Sequence, residues 1–427
     1  MDFKKLFNEA QKQGINELSI TVRYNNSFSI ELLNQNIDKY EGKEVQHYSF
    51  KGKYNKKIGN YSSEHYFEKH NQMIIKTIIE SASLKDDEEE VIFSNDQKKV
   101  SYIKEEAKLN LEQKILEMKQ YYSKLSEYSP LIKDVLIWFT YTYSKIRIIN
   151  SLGLEKEESN HCFTNYINIS VTKDNDVKND YYHSSGINDQ NILEESYKLA
   201  DRVIKKLKPV NLQNGKYKVI LEPKVVADIF NTFMPALSGD SVQKERSIFK
   251  DKLNQRIAST KLTLIENPTD LNRPNKRLFD NDGINTYQKE LITDGKLKMF
   301  LYDAQSAAKG KTKSTGNAFE KANYINVYIK PLVKDELELL KIVDNGILVT
   351  GVHSLHSGAN LISGSISLKS SGYLIRNGEV KEALDYFVLN TDFSSLLQNI
   401  EEIGSNLAES GNFRSPSIVI SKVDITS

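Results

Sequence analysis

Residues 17–54 carry the pattern that most restricts the fold. Apolar and polar side chains alternate through "ELSITVRY", "SFSIELLN", "IDKYEG" and "VQHYSFKGKY". A period of two sends successive side chains to opposite faces of an extended chain, so each run reads as a half-buried strand. The short polar breaks between runs predict four consecutive antiparallel strands. Residues 2–13 ahead of them read as a helix, and "EHYFEKHNQMIIKTIIESAS" behind them has the apolar spacing of a helix laid on that sheet.

The pattern continues with an acidic run, "KDDEEE", expected as a solvated loop, and an amphipathic helix over 104–128 that stops near Pro130. Two strands follow, "DVLIWFTYTYSKIRIINS" and "HCFTNYINISVTKD", then a helix over 192–207. Pro209 and Gly215 flank a polar linker. Beyond it the chain turns to glycines and short strands, with one helix expected around 223–236. The fold class is therefore α+β in two domains. Residues 1–208 form an N-terminal antiparallel sheet with helices, with a division near 130 as an open alternative, and residues 215–427 form a β-rich C-terminal domain.

At 427 residues the chain exceeds one ordinary core. Cys162 is its only cysteine, so neither an internal disulfide nor a thiolate cluster is available. No stretch approaches the roughly 20 apolar residues of a membrane helix, and the first residues lack an apolar signal core, so a cytoplasmic location is expected. Basic and acidic residues balance at 58 and 57, which argues against a nucleic-acid binder. The 23 tyrosines lie in strand-like segments, where tyrosine is a good former.

Few residues form a catalytic constellation. His353 and His356 sit three apart in "GILVTGVHSLHSGANLISG", but on a strand that spacing sends them to opposite faces, and no acid lies nearby in sequence to complete a metal site. They stand as a weak alternative for metal binding. His161 and Cys162 are strand neighbours that point apart and cannot pair as nucleophile and base. "STGNA" lacks the lysine of a P-loop, and no Gly-x-Ser-x-Gly elbow occurs. "FDNDGI" begins like a calcium loop, yet position five from Asp280 is Ile284 and position twelve is Leu291, so a β-turn is the better account.

Several signatures occur in order after residue 215: "GKYKVILEPKVVADIF", "ALSGDSVQKERS", "LFDNDGINTYQKELITDGKL", "KSTGNA", "SGANLISGSISLKSSGYLIRNGEV", "SLLQNIEEIGSNL" and "SPSIVISKVDI". In that order and spacing the chain resembles the TldD/PmbA family, also labelled modulator of DNA gyrase. The resemblance implies a two-domain cytosolic protein that dimerises. One branch carries His-Glu-x-x-x-His on the helix after "LEP", where two imidazoles hold zinc and the glutamate activates its water. Here Phe230, Asn231 and Pro235 stand at those three positions, and "GSIS" at 364–367 departs from the family's Gly-Asp-Phe-Ser.

The resemblance thus points to the PmbA/TldE-like branch. That branch implies a non-metal subunit with no cofactor of its own, zinc residing only in a TldD-like paralogue with which it forms a heterodimer; pairing with itself is the other arrangement. Implied substrates are peptides or unfolded chains, as in proteolysis and peptide maturation, with no membrane and no direct nucleic-acid partner. Position in the family motifs makes Ser238, Gly239, Asp240, Ser314, Thr315, Gly316, Asn317, His356, Ser357, Gly358 and Asn360 the expected peptide or partner contacts. An independent hydrolase using His353 and His356, and a direct gyrase modulator, are the competing readings.

Overall fold

The computed structural model describes residues 2–85, 93–96, 98–319 and 324–427. Apart from Lys85, the acidic run "KDDEEE" lies outside the described residues. Helix α1 (Lys4–Lys12) leads into β1 (Glu17–Leu33), β2 (Asn36–Tyr54) and β3 (Lys57–Ser63), followed by α2 (Asn71–Ser83). The four predicted short strands are in fact two long ones. β1 pairs with β2 from Glu17 to Leu33 and with a later strand from Ser19 to Leu33, so backbone bonds on both edges carry it through its polar middle. The only reversal is at Asn34–Gln35, where Asn34 takes φ 57° and its side chain accepts from the Val135 amide at 2.9 Å. Side-chain polarity marked breaks that the ladder ignores.

A short strand β4 (Val100–Tyr102) precedes α3 (Leu111–Tyr128), β5 (Ile132–Asn150), β6 (Glu155–Lys173), β7 (Asp176–Gly186) and α4 (Leu193–Lys205). Two further expectations change. α3 begins seven residues later than the predicted 104, because residues 104–110 lie along the sheet: the Lys104 amide donates to Ser159 Oγ and the Ala107 amide to the Tyr141 hydroxyl. Asn110 then caps the helix by accepting from the Gln113 amide at 3.1 Å. β7 was not predicted at all. Its "DVKNDYYHSSG" is poor in aliphatic residues, and it is held as a strand by an eleven-residue ladder to β6.

These strands form one sheet in the order β3-β2-β1-β5-β6-β4, with β7 also on β6. One face is covered by helices. Leu18, Ile20 and Phe50 pack with Leu6, Ile75 and Ile78 of α1 and α2, while Ile30, Ile137 and Ile167 pack with Met118, Leu125 and Leu199 of α3 and α4. α2 sits so close that a Cβ on Gly59 would stand 1.8 Å from the Ile78 carbonyl oxygen. The other face of β5 turns Ile146 and Ile148 onto Leu154 and Phe279, joining this sheet to the later half of the chain.

That later half holds β8 (Gly215–Leu221), α5 (Pro223–Phe233), β9 (Leu264–Glu266), β10 (Lys289–Thr293), β11 (Lys296–Leu297), β12 (Val327–Ile329) and β13 (Gly346–His353). It continues with β14 (Ser365–Arg376), β15 (Glu379–Ala383), β16 (Phe387–Asp392), β17 (Ile400–Ile403), β18 (Ala408–Ser410), β19 (Phe413–Ser415) and β20 (Ile418–Thr426). One sheet runs β11-β10-β9-β12-β19-β18 and the other β13-β8-β20-β16-β14-β15, with β17 on β20 and a further β13–β14 pairing. α5 lies on the core of this half, with Val225, Val226, Ile229, Phe230 and Phe233 all buried. It gives way at Pro235, which has no amide hydrogen, to a 3-10 turn over Met234–Leu237.

Buried charges bind the two halves together. Lys156 of β6, fully buried, donates to Asp96 Oδ2 at 2.8 Å, the Gly283 carbonyl at 2.9 Å and Asn285 Oδ1 at 2.7 Å. Glu158, also fully buried, accepts from Arg277 Nε and the Leu278 amide, each at 2.9 Å, with Lys276 Nζ 3.6 Å away. This contact fixes β6 and β7 relative to the C-terminal sheets.

Candidate functional site: a cleft between two strand edges

β8 delivers the chain to α5 through Glu222 and Pro223, the proline taking the first helical position, where its missing N–H costs nothing. Apolar residues fill the inward side of α5, so Lys224 and Asp228, four apart, share its outward side. They form one wall of a cleft of about 480 Å³. Val177 to Tyr181 of β7 form a second wall, Thr350 to His353 of β13 a third, and Asp385 and Tyr386 close one side.

Lysines, aspartates and aromatic rings line the cleft together. Lys224 Nζ lies 3.5 Å from the Tyr181 ring centre, and Lys369, outside the cleft lining and across the ladder from His353, has its Nζ 3.7 Å from that of Tyr386. The His353 ring meets Tyr386 edge-on at 5.7 Å. Burial, then Lys369, Lys206 and Lys224, hold His353 below the usual imidazole range, against a smaller opposing pull from Asp180. Lys206 is spent on Asp180 at 2.7 Å and Lys178 on Asp176 at 3.2 Å. Lys224 and Lys369 have no carboxylate partner among the described residues.

The two histidines do not converge. Ser354, at φ 59°, ends β13 after His353, and His356 falls in an exposed turn over Leu355–Gly358. The strand therefore stops between them, and their separation comes from that turn rather than from opposite faces of one strand. Among the described residues no three His, Cys, Asp or Glu side chains gather into a metal-holding group. His161 Nε2 contacts the Ile187 carbonyl at 3.0 Å while Cys162 Sγ faces Thr164, so the two neighbours look different ways.

The predicted contact residues divide into interior and exposed groups. Ser238 and Gly239 are buried, with a Cβ on Gly239 falling 2.1 Å from the Tyr302 ring, and Asp240 pairs with Lys244 at 2.8 Å. Ser314 Oγ donates to the Tyr302 carbonyl. Thr315 Oγ1 donates to Asn317 Oδ1 at 2.8 Å, and Asn317 donates through Nδ2 to both oxygens of Glu266, which also accepts from Lys289 at 2.7 Å. Gly316 makes the turn at φ +73°. "STGNA" is thus the lid of a fully buried Lys–Glu pair. His356, Ser357, Gly358 and Asn360 form the exposed turn, which Asn360 shapes by accepting from the Ile362 and Ser363 amides. "FDNDGI" is a turn in which Asp280 accepts from the Asp282, Ile284 and Ala318 amides.

A zinc site on α5 would need side chains from positions 230, 231 and 235. Phe230 is buried among Phe393 and Phe413, with ring centres 5.3 and 5.5 Å away. Asn231 Oδ1 accepts from the Tyr324 hydroxyl at 2.8 Å, and burial pushes that hydroxyl up to about 12. Pro235 starts the 3-10 turn and offers no donor atom. This set does not fit a zinc ion.

Residues 214–427 match the family described as PmbA/TldA metallopeptidase C-terminal domain. The chain belongs to the PmbA/TldD family. A PmbA metalloprotease homologue of Haemophilus influenzae is 27% identical over 228 residues, which are 53% of this chain and 49% of that one. The chain spans between 49% and 62% of the length of the first curated relatives it matches. Solved structures cover it fully. A Thermotoga maritima protein described as a modulator of a DNA gyrase aligns over 99% of both chains at TM-score 0.88 and 23% identity. TldE of Thermococcus kodakarensis aligns over 100% of both at TM-score 0.86 and 21% identity. These structures share its mixed α+β fold.

Sequence reading missed the cleft. Lys224 and Asp228 were legible as an i, i+4 polar pair beside "LEP", but Tyr181 lies on the unpredicted β7, and Tyr386 approaches only through the tertiary fold.

Proposed function

We propose that this chain is the non-metal, PmbA/TldE-like subunit of a TldD/PmbA-type metallopeptidase system acting on peptides or unfolded chains, in proteolysis or peptide maturation. Its residues 1–208 and 215–427 act as two domains, in the cytoplasm. It completes the substrate cavity of a TldD-like paralogue, which carries the zinc; a homodimer is the alternative assembly. The observation that carries this reading is the use made of α5. Phe230 fills the core, Asn231 holds the Tyr324 hydroxyl and Pro235 ends the helix. A helix spent in this way supplies no ligand and no base, while its outward residues Lys224 and Asp228 line a cleft.

In this reading the exposed turn at His356–Asn360 touches the partner or the peptide. Ser238–Asp240 and Ser314–Asn317 shape the wall from within. Affinity capture of the tagged chain from its own cells tests the proposal. Recovery of a paralogue bearing His-Glu-x-x-x-His, with zinc-dependent peptide cleavage by the pair, is the expected result. Capture of the chain with itself alone would overturn the heteromeric arrangement.

A further inference from the structure

Charge is unevenly spread over the C-terminal half. Residues 240–256 and 294–313 hold ten lysines and arginines against five acids, in a chain whose totals balance at 58 and 57. All ten cations are exposed. The two segments form one surface. At one end Arg256 makes an antiparallel bridge with Lys296, and the Asn254 amide donates to the Leu297 carbonyl at 2.8 Å. At the other end Gln243 Nε2 donates to the Ser306 carbonyl at 2.7 Å. None of these residues lines the cleft.

Three of the five acids are already engaged. Asp240 pairs with Lys244 at 2.8 Å, Glu245 pairs with Lys250 at 2.7 Å, and Asp303 caps the helix Ala304–Lys309 by accepting from the Ser306 amide. The eight other cations have no carboxylate partner among the described residues. They include Arg246, Lys252 and Arg256 on one segment and Lys309, Lys311 and Lys313 on the other, and only Asp251 and Asp294 stand against them. Such a surplus draws an anionic partner from a distance, with a strength set by salt. A cavity of about 300 Å³ beside Arg256, lined also by Ala258, Ser259 and Gln398, gives its guanidinium room to take a carboxylate bidentately. The same surface suits a polypeptide better than a nucleic acid. Phe249 and Phe300 are buried and Tyr302 half-buried, so bases would find no ring to stack on, whereas Leu253 stands exposed among the charges.

We propose that this surface is a docking site for acidic, unstructured stretches of polypeptide. The inference rests on the reading of this chain as a handler of peptides or unfolded chains, and adds to it a preference for acidic substrates that is set outside the cleft. Exposed ion pairs are individually worth little, so the surface selects a run of acids and not any single one. The joint field of the cations speeds the encounter, and removing one of them changes little.

The test is fluorescence anisotropy on the full chain with three labelled probes. One is an unstructured peptide rich in glutamate, one is the same peptide with glutamine in place of each glutamate, and one is a single-stranded oligodeoxynucleotide of equal charge. At low salt the acidic peptide is expected to bind at least about tenfold tighter than the neutral one, and to lose that margin at about 1 M salt, where the screening length is about 3 Å. Lys309→Glu, Lys311→Glu and Lys313→Glu made together should cut the margin to about threefold or less, and adding Lys252→Glu and Arg256→Glu should abolish it. A control with Lys12→Glu, Lys119→Glu and Lys124→Glu changes the net charge as much as the first set does, at exposed positions of α1 and α3, and should leave the margin intact. An acidic peptide that binds no tighter than the neutral one, or a margin that the control removes as fully, refutes the site. Binding of the oligodeoxynucleotide as tight as that of the acidic peptide would overturn the polypeptide assignment. The neutral peptide keeps the two readings apart. Its cleavage with a captured zinc-bearing paralogue would stand if the acidic peptide showed no preference, and acid-selective binding without such a paralogue would remove the subunit reading alone.

Discussion

Glu158→Ala should loosen the join between β6 and the C-terminal half. The change deletes two bonds of 2.9 Å, from Arg277 Nε and the Leu278 amide, and the counter-charge 3.6 Å from Lys276 Nζ. At an effective dielectric of 20, one pair at that distance is worth about 4–5 kcal/mol before desolvation is subtracted. Relief of the buried carboxylate's desolvation offsets much of that gain. What remains is the cost of an unmatched cation. Among the described residues, Lys276 would keep the Tyr102 ring at 4.2 Å and the Ser159 carbonyl at 3.3 Å. Burial already pushes its amine down, so the variant would shed the proton instead of holding a bare charge. A net loss of about 3–5 kcal/mol is expected. Glu158→Gln, which keeps one acceptor but turns an amide donor toward a second donor, should lose about 1–3 kcal/mol. Urea unfolding followed by circular dichroism measures both. Glu158→Met with Lys276→Met should recover a good part of the loss, because an apolar pair leaves no charge behind. An alanine variant within about 1 kcal/mol of the parent, or a double variant no better than the sum of the singles, would refute the reasoning.

Burial and the neighbouring Asp282 push the Asp280 carboxyl up to about 7, above its value of about 3.9 in the unfolded chain. The folded state then holds a proton that the unfolded state has lost, so this group's stabilisation is complete below about pH 4 and falls by roughly 1.4 kcal/mol per pH unit toward pH 7. Asp280→Asn should remove that slope, seen as a gap between variant and parent urea midpoints that changes from pH 5 to pH 7.5; a constant gap would contradict it. Phe230→Ala should cost about 3–5 kcal/mol in the same unfolding assay, as the ring fills the core between Phe393 and Phe413. Gly59→Ala would set a methyl 1.8 Å from the Ile78 carbonyl oxygen, so α2 must move off β3 at a cost of about 1–3 kcal/mol, with faster hydrogen exchange in α2; unchanged exchange would show that the close approach is not needed.

The sequence was most readable where side-chain period and backbone structure agree. α1, α4, α5 and the "ELITDGKL" hairpin sit close to their predicted places because amphipathic spacing or an Asp-Gly turn fixes them locally, whereas α2 starts at Asn71, seven residues into its predicted segment. It misled where pairing overrides polarity. β1 and β2 run through Asn25–Asn26 and Lys43–Glu44 without a turn, because each rung is held by its neighbours across the ladder. β7 escaped notice since its strand state comes from β6, not from its own residues. "STGNA" reads as a turn, but its purpose, capping the buried Glu266–Lys289 pair, depends on a glutamate 51 positions before Asn317. The cleft was the least legible feature. It exists only where the open edge of β7 meets the end of β13 that runs beyond its pairing with β8.

The claim most in need of a direct answer is that α5 supplies no metal centre. The purified chain, incubated with excess zinc and desalted, should be assayed for metal by mass spectrometry and for cleavage of a quenched fluorescent peptide with and without chelator. The account predicts zinc well below one ion per chain and no cleavage until a TldD-like partner is added. One tightly held zinc per chain, with chelator-sensitive cleavage by this chain alone, would contradict it.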